Sequence, residues 1–98
     1  MVAGKRRSVV TLMQQAEALA ANDLFKEALV AAREAVVLEP EAFDPAFFLL
    51  GRLREAEDWE AVQQAAAELV ERAPNAYFKD QVIDLEITAM DRLGTLPE

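Results

Sequence analysis

The sequence predicts an all-α chain of antiparallel helix-hairpin repeats, about five helices in one domain spanning residues 1–98. Three observations carry that prediction. Apolar residues recur at helical spacing almost throughout, and no stretch alternates with period two over the length of a strand. Alanine, glutamate and leucine dominate, and all, like the arginines, are good helix formers. The punctuation between apolar runs recurs at a fixed distance: Pro74 follows Pro40, and Trp59 follows Phe25, by 34 residues.

Residues 1–7 are read as a flexible basic lead carrying Lys5, Arg6 and Arg7. The first helix is expected over about 8–21, with Ser8 capping its start. Asn22-Asp23 breaks that run, and Asp23 is suited to cap the next. The second helix, about 24–38, stops at Glu39-Pro40 because the residue before proline is pushed out of helical geometry. Asp44-Pro45 opens the third, about 45–56, as a capping aspartate with proline at the first helical position. Asp58 caps the fourth, about 59–72, and Ala73-Pro74-Asn75 breaks it. The fifth, about 76–93, ends at Gly94 with Pro97 beyond. The connections are only a few residues long, so neighbouring helices must run antiparallel.

The first two hairpins therefore form units over 8–40 and 43–74, followed by a closing helix over 76–93. At the 34-residue offset Leu19 pairs with Leu53, Ala28 with Val62, Ala32 with Ala66, and Ala35 with Leu69. A fixed period of this size marks stacked supersecondary units. The segments ALAANDLFKEALVAAREAVVLEP (18–40) and LLGRLREAEDWEAVQQAAAELVERAP (49–74) resemble the tetratricopeptide repeat family. The family's small residue in its first helix falls on Ala16, and Leu50-Gly51 looks like its leucine–glycine pair. Phe25 and Trp59 match the aromatic that opens its second helix, Ala28 its packing alanine, and Pro40 and Pro74 its closing proline. Leu12 stands where the family has a large aromatic, and Val62 where it has an alanine. A strict period aligns Leu50 with Ala16, whereas the leucine–glycine match calls for Gly51. That conflict is read as an insertion around Phe43-Asp44 offset by a shorter turn near Glu57.

In the closing helix Phe78, Val82, Leu85, Ala89 and Leu93 form one apolar stripe, opposite Asp80, Asp84, Thr88, Asp91 and Arg92. Ile83, Ile87 and Met90 form a second apolar strip. It is read as additional core, with a patch for another copy of the chain as the alternative.

The resemblance implies a concave wall built from the first helix of each unit, used to hold a peptide or a helix. The residues that would line it include Met13 and Glu17 from the first helix, and Phe47, Phe48, Gly51 and Arg54 from the third. Val82 and Leu85 would complete it. Phe47 and Phe48 sit ~100° apart on a helix, so one is expected in the stack and the other in the groove. Family members that grip acidic chaperone tails do so with lysines, arginines and asparagines. Met13, Glu17, Phe47 and Gly51 in the corresponding slots would not neutralise a carboxylate. The wall is read as apolar with acidic edges, suited to a segment with basic flanks.

Composition excludes much else. Eighteen acids against ten bases give −8, and with Lys5–Arg7 set apart seven bases face eighteen acids. Such a field repels phosphate backbones, so no nucleic-acid partner is expected; a helical regulator using the Lys5–Arg7 arm is the weaker alternative. Without cysteine or histidine, zinc-type metal sites and Cys–His or Ser–His catalysis lack their ligands and bases. Carboxylate pairs such as Glu55/Glu57 and Asp80/Asp84 are read as solvated helix faces. Gly4, Gly51 and Gly94 are too scattered for a phosphate loop, and no cofactor is expected. Thr11, Gln14, Gln15 and Glu17 interrupt residues 9–21, so neither a signal core nor a membrane span is predicted. The expectation is a cytoplasmic, non-catalytic protein-binding module. Self-association is the alternative, because two repeats are marginal alone, as is membership of a larger repeat protein.

Overall fold

The computed structural model describes residues 2–94, with side chains from residue 8 onward. Five α-helices and no strand are present among the described residues: α1 (Val2–Ala21), α2 (Phe25–Leu38), α3 (Phe43–Glu55), α4 (Trp59–Leu69) and α5 (Ala76–Leu93). A 3-10 turn, Val70–Arg72, tightens the end of α4. The hairpins α1–α2 and α3–α4 stack through α2 and α3, and α5 packs on α4. The resulting slab measures 48 × 30 × 19 Å, its thin dimension matching two helix layers of ~10 Å each.

The helix ends differ from the sequence reading in instructive ways. α1 begins at Val2 rather than near residue 8, since lysine, arginine and alanine sustain a helix well. Ser8 therefore sits inside α1 and not at its start. Asp23 does not cap α2: the N-cap is Leu24, with no side-chain hydrogen bond. Instead Asp23 adopts φ 63° and closes α1. Its N–H donates to the Ala20 carbonyl (3.0 Å), and the Leu24 N–H donates to that of Leu19 (2.9 Å). This is the Schellman closure of a helix. The same closure recurs 34 residues on. Glu57 has φ 59°, its N–H reaches the Arg54 carbonyl (3.0 Å), and the Asp58 N–H reaches that of Leu53 (3.1 Å). Both hairpin turns are thus the same backbone device, with no residue inserted or lost between them. Here the cap prediction holds: the Asp58 carboxylate accepts from the Ala61 N–H at 3.4 Å.

α3 starts at Phe43, two residues before the expected start at Pro45, with Ala42 as N-cap and no side-chain cap bond. Asp44 and Pro45 lie within its first turn, where proline's missing N–H costs no helical bond and an acid suits the helix dipole. Asn75 caps α5 by accepting from the Phe78 N–H (3.0 Å). Gly94 ends it in left-handed geometry, φ 72°. Arg72 donates to the carbonyls of Pro40 (2.9 Å) and Ala42 (3.2 Å), tying the end of the second hairpin to the loop between the hairpins.

The core is two clusters. Ala16, Ala20, Ala28, Ala31 and Ala32 pack α1 on α2, with Leu12, Leu19 and Phe25 at the edges. Leu29, Leu50, Leu53, Val62, Ala66, Leu69, Val82 and Ala89 form the larger cluster. Leu49 packs against both. Ala16 and Leu50 are both fully buried, so the strict 34-residue register is the structural one. The expected insertion near Phe43-Asp44 is absent. An extra Cβ on Gly51 would meet nothing within 4 Å, so this glycine is not a close-packing residue.

Candidate functional site

α1, α3 and α5 lie side by side and present one wall. Its residues recur at the repeat distance: Val10, Asp44 and Phe78; Met13, Phe47 and Gln81; Glu17, Gly51 and Leu85; then Arg54 and Thr88. α5 therefore stands in register as the first helix of a third unit. Four hollows run along the wall and share residues. Val10, Met13, Gln14, Glu17 and Phe48 line the first, about 250 Å³. Met13, Phe43, Asp44, Phe47, Phe48, Gly51, Arg52 and Phe78 line the next, about 320 Å³. Phe47, Gly51 and Arg52 continue into a third of about 440 Å³ with Arg54, Glu55, Glu57, Trp59, Gln81, Leu85 and Arg92. Arg54, Gln81 and Leu85 pass on to a fourth with Asp84 and Thr88.

One end of this groove is aromatic. Phe43 and Phe47 stand one turn apart on α3 and stack at 5.3 Å, while Phe78 of α5 meets them edge-on at 5.5 and 5.4 Å. Tyr77 closes on Phe78 at 5.2 Å. Such pairs contribute about 0.5–1.5 kcal/mol each beyond their buried area, which favours this arrangement of the rings. Phe48 turns toward the alanine cluster of the first hairpin, and the Arg52 guanidinium covers its ring at 4.8 Å.

The other end carries mixed charge. Arg52 pairs with Glu55, and its Nε–H is buried without an acceptor among the described residues. Arg92 lies over the Trp59 ring at 5.6 Å, and Arg54 is exposed. Of the seven bases beyond residue 7, three face this one hollow.

The sequence-predicted wall residues fall as follows. Met13, Glu17, Phe47, Phe48, Arg54 and Leu85 all line the groove. Val82 does not, because it is fully buried in the larger cluster; Leu85, almost one turn on, takes the groove side. Phe47 and Phe48 do enter different clusters, yet both are half-buried and both line the aromatic hollow. The wall's edges are not simply acidic, since Arg52, Arg54 and Arg92 stand among Glu17, Asp44, Glu55 and Glu57. Phe43, Phe78 and Arg52 were not among the predicted wall residues. Phe78 lies one repeat distance beyond Asp44, which is itself read from the sequence as a cap and not as wall. Ile83 and Met90 are half-buried, whereas Ile87 is 46% exposed and is not additional core. Lys5–Arg7 lie outside the residues whose side chains are described.

Among the described residues no group of three or more acids is placed to hold a metal ion, and no helix is long and apolar enough to cross a membrane. No protein-family model matches the chain, and searches of curated proteins and of solved structures return no match.

Proposed function

We propose that this chain is a non-catalytic protein-interaction module of tetratricopeptide type that holds a peptide segment or helix along the α1–α3–α5 groove. The observation that carries the reading is the groove's periodic construction, in which residues one repeat apart line one continuous channel. A helix-interior glycine is the second support. Glycine costs about 1 kcal/mol relative to alanine in a helix, and no packing contact at Gly51 requires it; the space it leaves is groove floor. The bound segment would seat apolar side chains among Met13, Phe43, Phe47 and Phe78, and polar groups beside Arg54 and Gln81. The cysteine-free composition accords with a cytoplasmic setting.

A pull-down from native lysate tests this, comparing the wild type with Gly51→Leu and with the Phe47→Ala/Phe48→Ala pair. Gly51→Leu fills the channel and should spare the fold. A partner retained by the wild type and lost by both variants, with helical signal intact, is the expected result. The same partners on all three proteins would contradict it.

A further inference from the structure

Each helix of the wall turns a second stripe toward the second helix of its own hairpin. In α1 that stripe is Val9, Leu12, Ala16 and Leu19; in α3 it is Phe43, Ala46, Leu50 and Leu53, each one repeat distance further on. Leu12, Ala16 and Leu19 pack with the alanines of α2, and the α3 residues with Val62, Ala66 and Leu69 of α4. The same stripe on α5 reads Tyr77, Asp80, Asp84 and Ile87. No second helix covers it among the described residues: Tyr77 is 66% and Ile87 46% exposed, where their counterparts Val9 and Leu53 are 0% and 3%. Asp80 and Asp84 are exposed, and neither has an ion pair among the described residues.

This composition is neither that of a solvating cap nor that of a permanently buried seam. A cap has no need of an aromatic and an isoleucine at the two ends of the stripe. A buried seam could not hold two carboxylates at its centre without counter-charges, because an uncompensated buried charge is strongly destabilising. A second copy pairing α5 on α5 would bring Asp80 and Asp84 of both chains together, a like-charge contact that disfavours association. Apolar ends and an acidic middle call for the complementary pattern.

We infer that the open face of α5 docks an amphipathic helix from a partner protein, bearing two basic residues about one turn apart between apolar ones. The incoming helix takes the place that α2 and α4 hold on α1 and α3. It runs antiparallel to α5, completing a third hairpin in trans. The apolar residues cover Tyr77 and Ile87, and the basic pair neutralises Asp80 and Asp84. This face adjoins the groove, since Asp84 also borders its last hollow beside Arg54 and Tyr77 touches Phe78 at its aromatic end, but it does not depend on the groove being occupied.

The test is fluorescence anisotropy of the full chain with two labelled synthetic helices. One carries leucine, lysine, lysine and leucine at successive steps of three, four and three residues; the other has glutamate in place of both lysines. The lysine helix is expected to bind and the glutamate helix not. Ile87→Asp, at an exposed position, should weaken binding by about tenfold or more with unchanged melting. Asp80→Lys with Asp84→Lys should reverse the preference, releasing the lysine helix and admitting the glutamate helix. Met13→Ala, in the part of the groove built on α1, should leave both titrations unchanged, which keeps this surface distinguishable from the groove. Equal binding of the two helices, indifference to the charge reversal, or loss on Met13→Ala would overturn the inference. So would sedimentation showing a wild-type dimer that Ile87→Asp dissolves.

Discussion

Glu57→Gly should stabilise this protein, although it removes a side chain and adds chain flexibility. Glu57 closes α3 at φ 59°, a region where an L-residue's Cβ crowds the following carbonyl at about 1–2 kcal/mol. Glycine avoids that contact but gives back about 0.5–1 kcal/mol of backbone entropy. The hydrogen bonds of the turn are all main-chain, from the Glu57 N–H to the Arg54 carbonyl and from the Asp58 N–H to that of Leu53, and they survive the change. The net gain is about 0.5–1 kcal/mol, which in a domain of this size raises Tm by roughly 2–8 °C. Glu57→Ala is the control, since it removes the same side chain and keeps the Cβ; it should be near neutral. Asp23→Gly should gain less, because aspartate tolerates left-handed geometry better than glutamate. Thermal and urea unfolding followed by circular dichroism at 222 nm measures all three. A Glu57→Gly variant that melts lower than wild type, or a Glu57→Ala variant that gains as much as glycine, would refute the backbone account of the turn.

Leu50→Ala should cost about 2–5 kcal/mol through the cavity left under a fully buried side chain, a large part of the ~5–15 kcal/mol expected of a domain. Its counterpart Ala16→Leu should also destabilise, by about 1–3 kcal/mol, because the alanine cluster has no room; urea titration separates both from wild type. Gly51→Ala should add about 0.5–1 kcal/mol in the same titration, since the new methyl meets nothing. Arg72→Ala should lose on the order of 1 kcal/mol with its bonds to Pro40 and Ala42. Amide exchange should then speed up across the loop between the hairpins.

The helices and their 34-residue recurrence were legible because alanine-rich amphipathic runs and proline breaks act locally. Asn75, Asp58 and Gly94 did what their residue types do at helix ends. Asp23 was misread because aspartate favours both an N-cap and a left-handed closure, and only the carbonyls of α1 decide between them. The start of α1 was missed because a basic run reads as solvated chain, although its residues extend a helix equally well. At the site, Phe47, Phe48 and Met13 were found by periodicity, whereas Val82 was misplaced. It stands one repeat distance after Phe48, whose long ring reaches both the stack and the groove, whereas the shorter valine stays fully buried. The aromatic end escaped notice because Phe43 and Phe78 belong to helices that meet only in three dimensions. Taking the strict register at face value would have placed the groove residues of α5 directly, with Gly51 in the channel and Leu50 beneath it.

A photo-crosslinking amino acid at position 51 tests the central claim most directly, because the site is open and projects into the channel. The same residue at position 67, exposed on α4 away from the groove, is the comparison. Illumination in native lysate should give a discrete adduct with another protein from position 51 and none from position 67, and Phe47→Ala should abolish it. No adduct from position 51, or the same adducts from both positions, would contradict a binding groove on the α1–α3–α5 wall.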